Sequence, residues 1–151
     1  MDLKSEIKNV MLSSLKNPSD IKIGIEIENI IYNDKNERIM VNPCNDFSAT
    51  ELLQLLNNKK NSSENYSLEP GGQLEWASAP YKNLNDLEDS IIAQRKLLKE
   101  VLERKQLKVV FYGLDPNYSP IDIDLIDQKR YILMDKNMEK SGSMGQWMMR
   151  C

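Results

Sequence analysis

Residues 67–80 read SLEPGGQLEWASAP, a stretch that combines two glutamates and a glutamine with a Pro-Gly-Gly run. Its Pro-Gly-Gly run, residues 70–72, permits a tight turn and lets the backbone approach a ligand closely. The alternation that follows predicts a strand in which Gln73 and Glu75 share one face, while the neighbouring leucine and tryptophan occupy the other. Glu69 lies at the entry to the turn. The stretch therefore predicts polar side chains gathered on one face of a sheet.

A second strand is predicted upstream, at residues 21–32, which read IKIGIEIENIIY. Isoleucines alternate there with polar residues or glycine, which predicts one isoleucine face anchored to a core and one polar face. Glu26 and Glu28 are two residues apart and therefore project to the same face, beside Gly24. Taken alone, this pattern is equally typical of a sheet surface on which glutamates simply stay hydrated.

The two predicted strands together indicate a site for a divalent metal ion. If they are neighbours in one sheet, four carboxylates and one amide converge on a single surface. Carboxylates packed so closely raise each other's pKa unless cations neutralise them. The chain contains no histidine, which favours hard ions that bind oxygen, such as Mg²⁺ or Mn²⁺. No Walker A motif or other glycine-rich nucleotide motif supplies a rival phosphate cradle.

Composition excludes several other classes of protein. At 151 residues the chain has the length of one ordinary domain, and we expect one. The net charge of -3 argues against a nucleic-acid partner, and no apolar run approaches the roughly 18 residues of a membrane span. Cys44 and Cys151 make no disulfide framework, and the first ten residues lack the apolar segment of a secretory signal. We therefore expect a cytoplasmic protein, of an oligomeric state that the sequence does not indicate.

Helices and strands are mixed without a regular βαβ repeat, which predicts an α+β fold. Residues 57–65 read as a polar loop. Further strands are predicted in ERIMVN, residues 37–42, and in LKVVFYG, residues 107–113. Helices are predicted over residues 1–16, 49–57, 84–105 and 128–138, with another beginning in MGQWMMR, residues 144–150.

Arg130 and Tyr131 form a third candidate site. A guanidinium group can bind a carboxylate through two parallel hydrogen bonds, which suits an amino-acid substrate. Judged alone, an arginine near a helix is more often a surface residue. Trp147 and the methionines around it are better explained as packing, and Cys44 as incidental, because no basic residue near it in sequence would lower its pKa.

At this point the motifs resemble those of a known enzyme family, glutamate-cysteine ligase in the form shared by plants and many bacteria. The resemblance rests on IGIEIE, SLEPGGQLEWASAP, KRYILM and GSMGQWMMR, which occur here in the family's order and approximate spacing. The Glu-Pro-Gly-Gly-Gln-x-Glu segment is specific, whereas a Gly-x-Glu-x-Glu strand alone is a weak signal. The similarity runs from about Ile21 to Arg150.

The resemblance implies a glutamine-synthetase-like fold, an antiparallel sheet curved into a half funnel with flanking helices. It also implies ATP-dependent ligation of the γ-carboxylate of L-glutamate to the amine of L-cysteine through γ-glutamyl phosphate, the first step of glutathione biosynthesis. Mg²⁺ or Mn²⁺ ions would carry the ATP. The implied metal ligands are Glu26, Glu28, Glu69 and Glu75, of which Glu26, Glu28 and Glu75 count as catalytic, and the implied substrate-binding residues are Gln73, Arg130 and Tyr131.

Several alternatives stay open at this point. A related carboxylate-amine ligase would use a different amine acceptor, and paired carboxylates also serve glycoside hydrolases. A non-catalytic fragment that binds divalent ions is a further possibility. The chain stops in the apolar-rich stretch GSMGQWMMRC, so we expect residues 1–151 to be the N-terminal portion of one longer catalytic domain, with little activity alone.

Overall fold

A computed structural model describes residues 2–42, 47–59 and 65–150 of the chain. It shows an α+β arrangement in which helices flank one open, four-stranded antiparallel sheet with the strand order β2-β3-β1-β4. The strands are β1 (Glu26–Asn33), β2 (Asn65–Leu68), β3 (Leu74–Ala77) and β4 (Leu107–Val110). The helices are α1 (Leu3–Ser13), α2 (Ala49–Asn57), α3 (Leu84–Arg104), α4 (Lys129–Ser141) and α5 (Gly145–Arg150).

The central strand β1 changes partner halfway along its length. Residues 26–29 pair with β3, and residues 30–33 pair with β4. In this register Glu28 lies directly opposite Glu75, and Ser67 of β2 lies opposite Glu75 from the other side. Because residues directly opposite in a sheet share a face, three neighbouring strands present these side chains together.

The opposite face of the sheet carries the hydrophobic core. Side chains of α2 and α3 pack there against alternate residues of the four strands, with Trp76 and Leu74 almost completely buried. A capping box between Ser48 and Glu51 starts α2, and such a cap contributes about 1 kcal/mol. Helices α2 and α3 therefore lie on one side of the sheet, and the acidic side chains lie on the other.

The predictions for the central strand were partly wrong. Regular pairing begins only at Glu26, and the upstream isoleucines do not anchor a core: Ile21 is 60% exposed and Ile23 is 42% exposed. The alternating pattern continues upstream, but there the described residues form only an isolated bridge from Ile23 to Tyr81 and two hydrogen bonds between Ile25 and Ser78. Alternation needs a neighbouring strand to become a buried face, and that neighbour ends at Ala77.

Two other strand predictions also need correction. Residues 37–42 form a single bridge, from Arg38 to Tyr32, rather than a strand. The strand predicted over residues 107–113 ends at Val110. Conversely, part of the predicted polar loop is strand, because β2 starts at Asn65.

The helix predictions were confirmed, with small shifts of their ends. In α1, however, every described residue is exposed, so the apolar positions of this helix pack against nothing that the structure describes. None of the described helices combines the length and apolar character needed to cross a membrane. Some predictions concern residues outside the described ones. These residues are Cys44, Cys151 and residues 60–64 of the predicted polar loop.

Candidate metal centre

Three carboxylates from three parts of the chain meet on the open face of the sheet. Glu28 comes from β1, Glu75 from β3, and Glu69 from the connection between β2 and β3. One oxygen of each lies within 4.8 Å of one oxygen of each of the others. We call this group the carboxylate triad. The spacing is close enough for the three oxygens to bind one cation together.

The tight turn between β2 and β3 places Glu69 in the triad. The Gly72 amide donates to the Glu69 carbonyl at 2.8 Å, and the Glu69 amide donates to the Gln73 carbonyl at 2.9 Å. Gly72 has a φ of +84°, a left-handed conformation that favours glycine. A Cβ atom at Gly72 would also lie 2.7 Å from Cγ2 of Val41. Glycine at position 72 is therefore required by the shape of the turn.

Two members of the triad, Glu28 and Glu69, have a raised pKa. Burial is the main reason that the pKa of Glu28 is raised, and the negative charges of Glu75 and Glu26 add to it. Burial, followed by the hydrogen bond shared with Glu75 and the neighbouring negative charges, raises the pKa of Glu69 to about 7. In the absence of a cation, Glu69 therefore takes up a proton as the pH falls through about 7. Like charges held this close disfavour the ionised form unless a cation neutralises them.

The donor set of the triad fits a hard divalent ion. The ion pairs found among the described residues do not involve any triad member, so no described lysine or arginine side chain neutralises it in this way. Ionised carboxylates offer only acceptor oxygens, which Mg²⁺ and Mn²⁺ prefer. Their unneutralised charge and short mutual distance are the observations that favour a cation here.

Ser67 is a member of the site that sequence reasoning missed. Its hydroxyl donates to Oε1 of Glu75 at 2.8 Å, which orients that carboxylate. The signal was present in the sequence: Ser67 and Glu69 are two residues apart, as are Glu26 and Glu28. It was overlooked because the four-residue strand β2 was not predicted.

Glu26 and Gln73 lie near the triad but differ from its members. Glu26 shares the open face and is exposed, opposite Ala77; its charge acts on Glu28 and Glu69, but its oxygens are not among those within 4.8 Å. Gln73 precedes β3 instead of lying in it, and is 2% exposed. Its buried Oε1 atom has no hydrogen-bond partner among the described residues.

Arg130 and Tyr131 lie at the start of α4, and the structure pairs them with each other. The guanidinium carbon of Arg130 lies 4.3 Å from the centre of the Tyr131 ring and the two side chains are hydrogen bonded. No hydrogen bond or ion pair found among the described residues joins either side chain to the triad. Their assignment to substrate binding stays a prediction, as do the metal-binding roles of the four glutamates.

Comparison with known proteins agrees with this arrangement of motifs. The chain is 33% identical over 90 residues to "Glutamate--cysteine ligase, chloroplastic" of Medicago truncatula, covering 60% of this chain and 18% of the relative. It is 28% identical over 132 residues to "Glutamate--cysteine ligase A, chloroplastic" of Oryza sativa subsp. japonica, covering 85% of this chain and 27% of the relative. The chain thus spans little more than a quarter of these relatives at most. Residues 22–151 match the sequence model of glutamate-cysteine ligase family 2, and the chain belongs to that family.

Proposed function

We propose that this chain is the N-terminal portion of the catalytic domain of a glutamate-cysteine ligase. The enzyme would use ATP to join the γ-carboxylate of L-glutamate to the amine of L-cysteine through γ-glutamyl phosphate, the first step of glutathione biosynthesis. The sheet would then be part of a glutamine-synthetase-like funnel, with its open face turned inward. Membership of the family supports this proposal, and so does the position of the acidic residues on the face of the sheet opposite α2 and α3.

The single observation that carries the proposal is the carboxylate triad. Glu28, Glu69 and Glu75 would hold a Mg²⁺ or Mn²⁺ ion, and the charge of Glu26 on the same face would add to the attraction for a cation. When bound, such an ion neutralises phosphate oxygens and orients the polyphosphate for in-line transfer. The residues would contribute fixed negative charge, in a geometry that the antiparallel register sets before any ligand arrives.

The remaining residues would bind the amino acids. Arg130 would offer its guanidinium to a substrate carboxylate, held in place by stacking on Tyr131. The unpartnered Oε1 atom of Gln73 would accept a hydrogen bond from a substrate ammonium group or a water molecule. None of the described residues is specific for cysteine, so a related ligase with another amine acceptor is the second candidate for the same site.

The ligase activity is tested with the full-length encoded protein. We expect ATP consumption only when L-glutamate, an amine acceptor and Mg²⁺ are all present, with ADP and a γ-glutamyl amide as products. Comparing cysteine with other amines as the acceptor separates the two candidates. ATP hydrolysis at the same rate without an amine would contradict both of them.

The metal site is tested on the chain itself by titration with Mn²⁺, followed by electron paramagnetic resonance. We expect Glu75→Gln to weaken Mn²⁺ binding by about tenfold or more, because one of three ligands is lost. Glu88→Gln is the matched control, since it makes the same charge change at an exposed position of α3, on the other side of the sheet. If both variants bind Mn²⁺ as the wild type does, the triad is not a metal site, whatever the reaction of the enzyme.

A further inference from the structure

Arg38 and Asp115 form a completely buried ion pair beside the open face of the sheet. Nη1 of Arg38 donates to Oδ2 of Asp115 at 3.0 Å, and the two side chains are 2% and 0% exposed. Burying two charges costs free energy that their attraction often fails to recover, so such a pair is weak grounds for stability alone. Its other contacts indicate a different role.

Asp115 is fixed to the central strand of the sheet. Its Oδ1 atom accepts hydrogen bonds from the hydroxyl of Tyr32 in β1 and from the amides of Asn117 and Tyr118, at 3.0 and 3.1 Å. Burial and the bond to Asp115 raise the pKa of Tyr32 to about 12, so its hydroxyl keeps the proton that it donates. The Asp115 carboxylate is therefore held in place by the hydrogen bonds that both of its oxygens accept.

Arg38 extends from Asp115 to the turn that carries Glu69. Its Nη2 atom donates to the carbonyl of Gly71 at 2.8 Å. That carbonyl lies in a buried turn whose own hydrogen bonds join Gly72 to Glu69 and Glu69 to Gln73. A planar guanidinium holds two acceptors in fixed directions at once, which a lysine ammonium does not do.

We propose that Arg38 and Asp115 form a positioning pair, which locks the turn at residues 69–73 to β1 and so sets where the Glu69 carboxylate lies in the triad. The pair touches none of the triad carboxylates and acts only through the turn backbone. The importance of this pair for metal binding rests on the proposed function. Its effect on the position of the turn is independent of that function.

Hydrogen exchange measured on the chain without metal tests the effect on the turn. We expect Arg38→Lys to speed exchange of the Glu69 and Gly72 amides by about tenfold or more, the order that follows from losing a hydrogen bond made by a charged group. Amides in the middle of α3 should exchange as in the wild type. Arg104→Lys, in an exposed pair with Glu100, is the control and should change neither region. Unchanged exchange at the turn, or equal acceleration in α3, would overturn the proposal.

A double-mutant cycle with Mn²⁺ tests the effect on the triad. We expect Arg38→Lys to weaken Mn²⁺ binding by about tenfold, as outer-sphere changes do. In a Glu69→Gln background the same change should have almost no further effect, because the residue it positions is already altered. Equal losses in both backgrounds would mean that Arg38 does not act through Glu69. If Glu75→Gln does not weaken Mn²⁺ binding, the proposed function is contradicted. Hydrogen exchange would then still test whether Arg38 and Asp115 position the turn.

A second variant guards against misfolding of the first. Arg38→Gln combined with Asp115→Asn removes both buried charges together, so neither is left unpaired. The shorter amide at residue 38 no longer spans the distance to Gly71. The double variant should reproduce the faster exchange at Glu69 and Gly72, and protection equal to that of the wild type would count against the proposal.

Discussion

At the scale of single residues, Glu69 is the most informative side chain in this protein. Its pKa is raised to about 7 by burial and by Glu75, far above the value of an exposed glutamate. In the unfolded chain the same carboxyl loses its proton near pH 4.5, so between these values the folded state binds more protons than the unfolded state. The contribution of Glu69 to stability therefore decreases as the pH rises from 4.5 to 7 and is constant above that range.

This gives a prediction for the metal-free protein. We expect Glu69→Gln to raise the thermal unfolding temperature at pH 8 in the presence of EDTA, because the neutral amide removes the repulsion at Glu75. The advantage should shrink as the pH falls toward 5, where the wild-type carboxyl is itself protonated. Thermal unfolding followed by circular dichroism over this pH range checks it. A variant that is less stable than the wild type at pH 8 would make Glu69 a structural residue.

The same carboxyl predicts how metal affinity depends on pH. A cation in the triad must displace the proton of Glu69, so Mn²⁺ affinity should decrease by about tenfold per pH unit below 7 and level off above it. Titrations at pH 6, 7 and 8 measure this slope. In Glu69→Gln the slope should be shallower, and an equal slope in both proteins would assign the displaced proton to another group.

Most residues of the triad could be predicted from the sequence, whereas the buried pair that holds its turn, Arg38 and Asp115, could not. Side-chain alternation places Glu28 on one face of β1 and Glu75 on one face of β3, and only their neighbourhood had to be assumed. Arg38 and Asp115 are separated by 77 positions along the chain; Arg38 lies in a segment that was wrongly predicted as a strand, and Asp115 lies between β4 and α4. No local rule brings such residues together, so this part of the site became visible only in three dimensions.

At the scale of elements, the turn between β2 and β3 is the most constrained connection. Gly72→Ala places a side chain on a left-handed backbone and against Val41, so we expect a loss of about 1–2 kcal/mol from the backbone alone, and more from the contact. Urea denaturation measures it. Gly113→Ala is the matched control, because a Cβ atom there meets nothing within 4 Å. Equal effects of the two substitutions would mean that the turn is less rigid than the structure shows.

Elements with strong local signals were the predictable ones. The capping box at Ser48 and the apolar period of α3 identify two helices without any tertiary information. Strand ends were not predictable in the same way, because pairing depends on where the neighbour stops. The isoleucines before Glu26 continue the pattern of β1, yet regular pairing begins only at Glu26.

At the scale of the whole molecule, the N-terminal helix stands apart from the rest. All described residues from Asp2 to Ser19 are exposed, and the match to the family begins only at residue 22. We expect deletion of residues 1–16 to change the unfolding free energy by less than about 0.5 kcal/mol, since no buried surface is lost. Urea denaturation of the shortened chain checks this, and a clear loss of stability would show that α1 packs against the remainder in solution.

The change of partner along β1 has a consequence for what surrounds the acidic centre. Within the described parts of the chain, residues 26–29 have a hydrogen-bonded neighbour strand on the β3 side only, because β4 pairs with the other half of β1. A cavity of about 590 Å³ opens at that flank, bounded by Glu28, Phe111 and residues of α3. Glu28 therefore borders two spaces, the acidic face of the sheet and this cavity at the unpaired flank of β1, whereas Glu69 and Glu75 do not line the cavity.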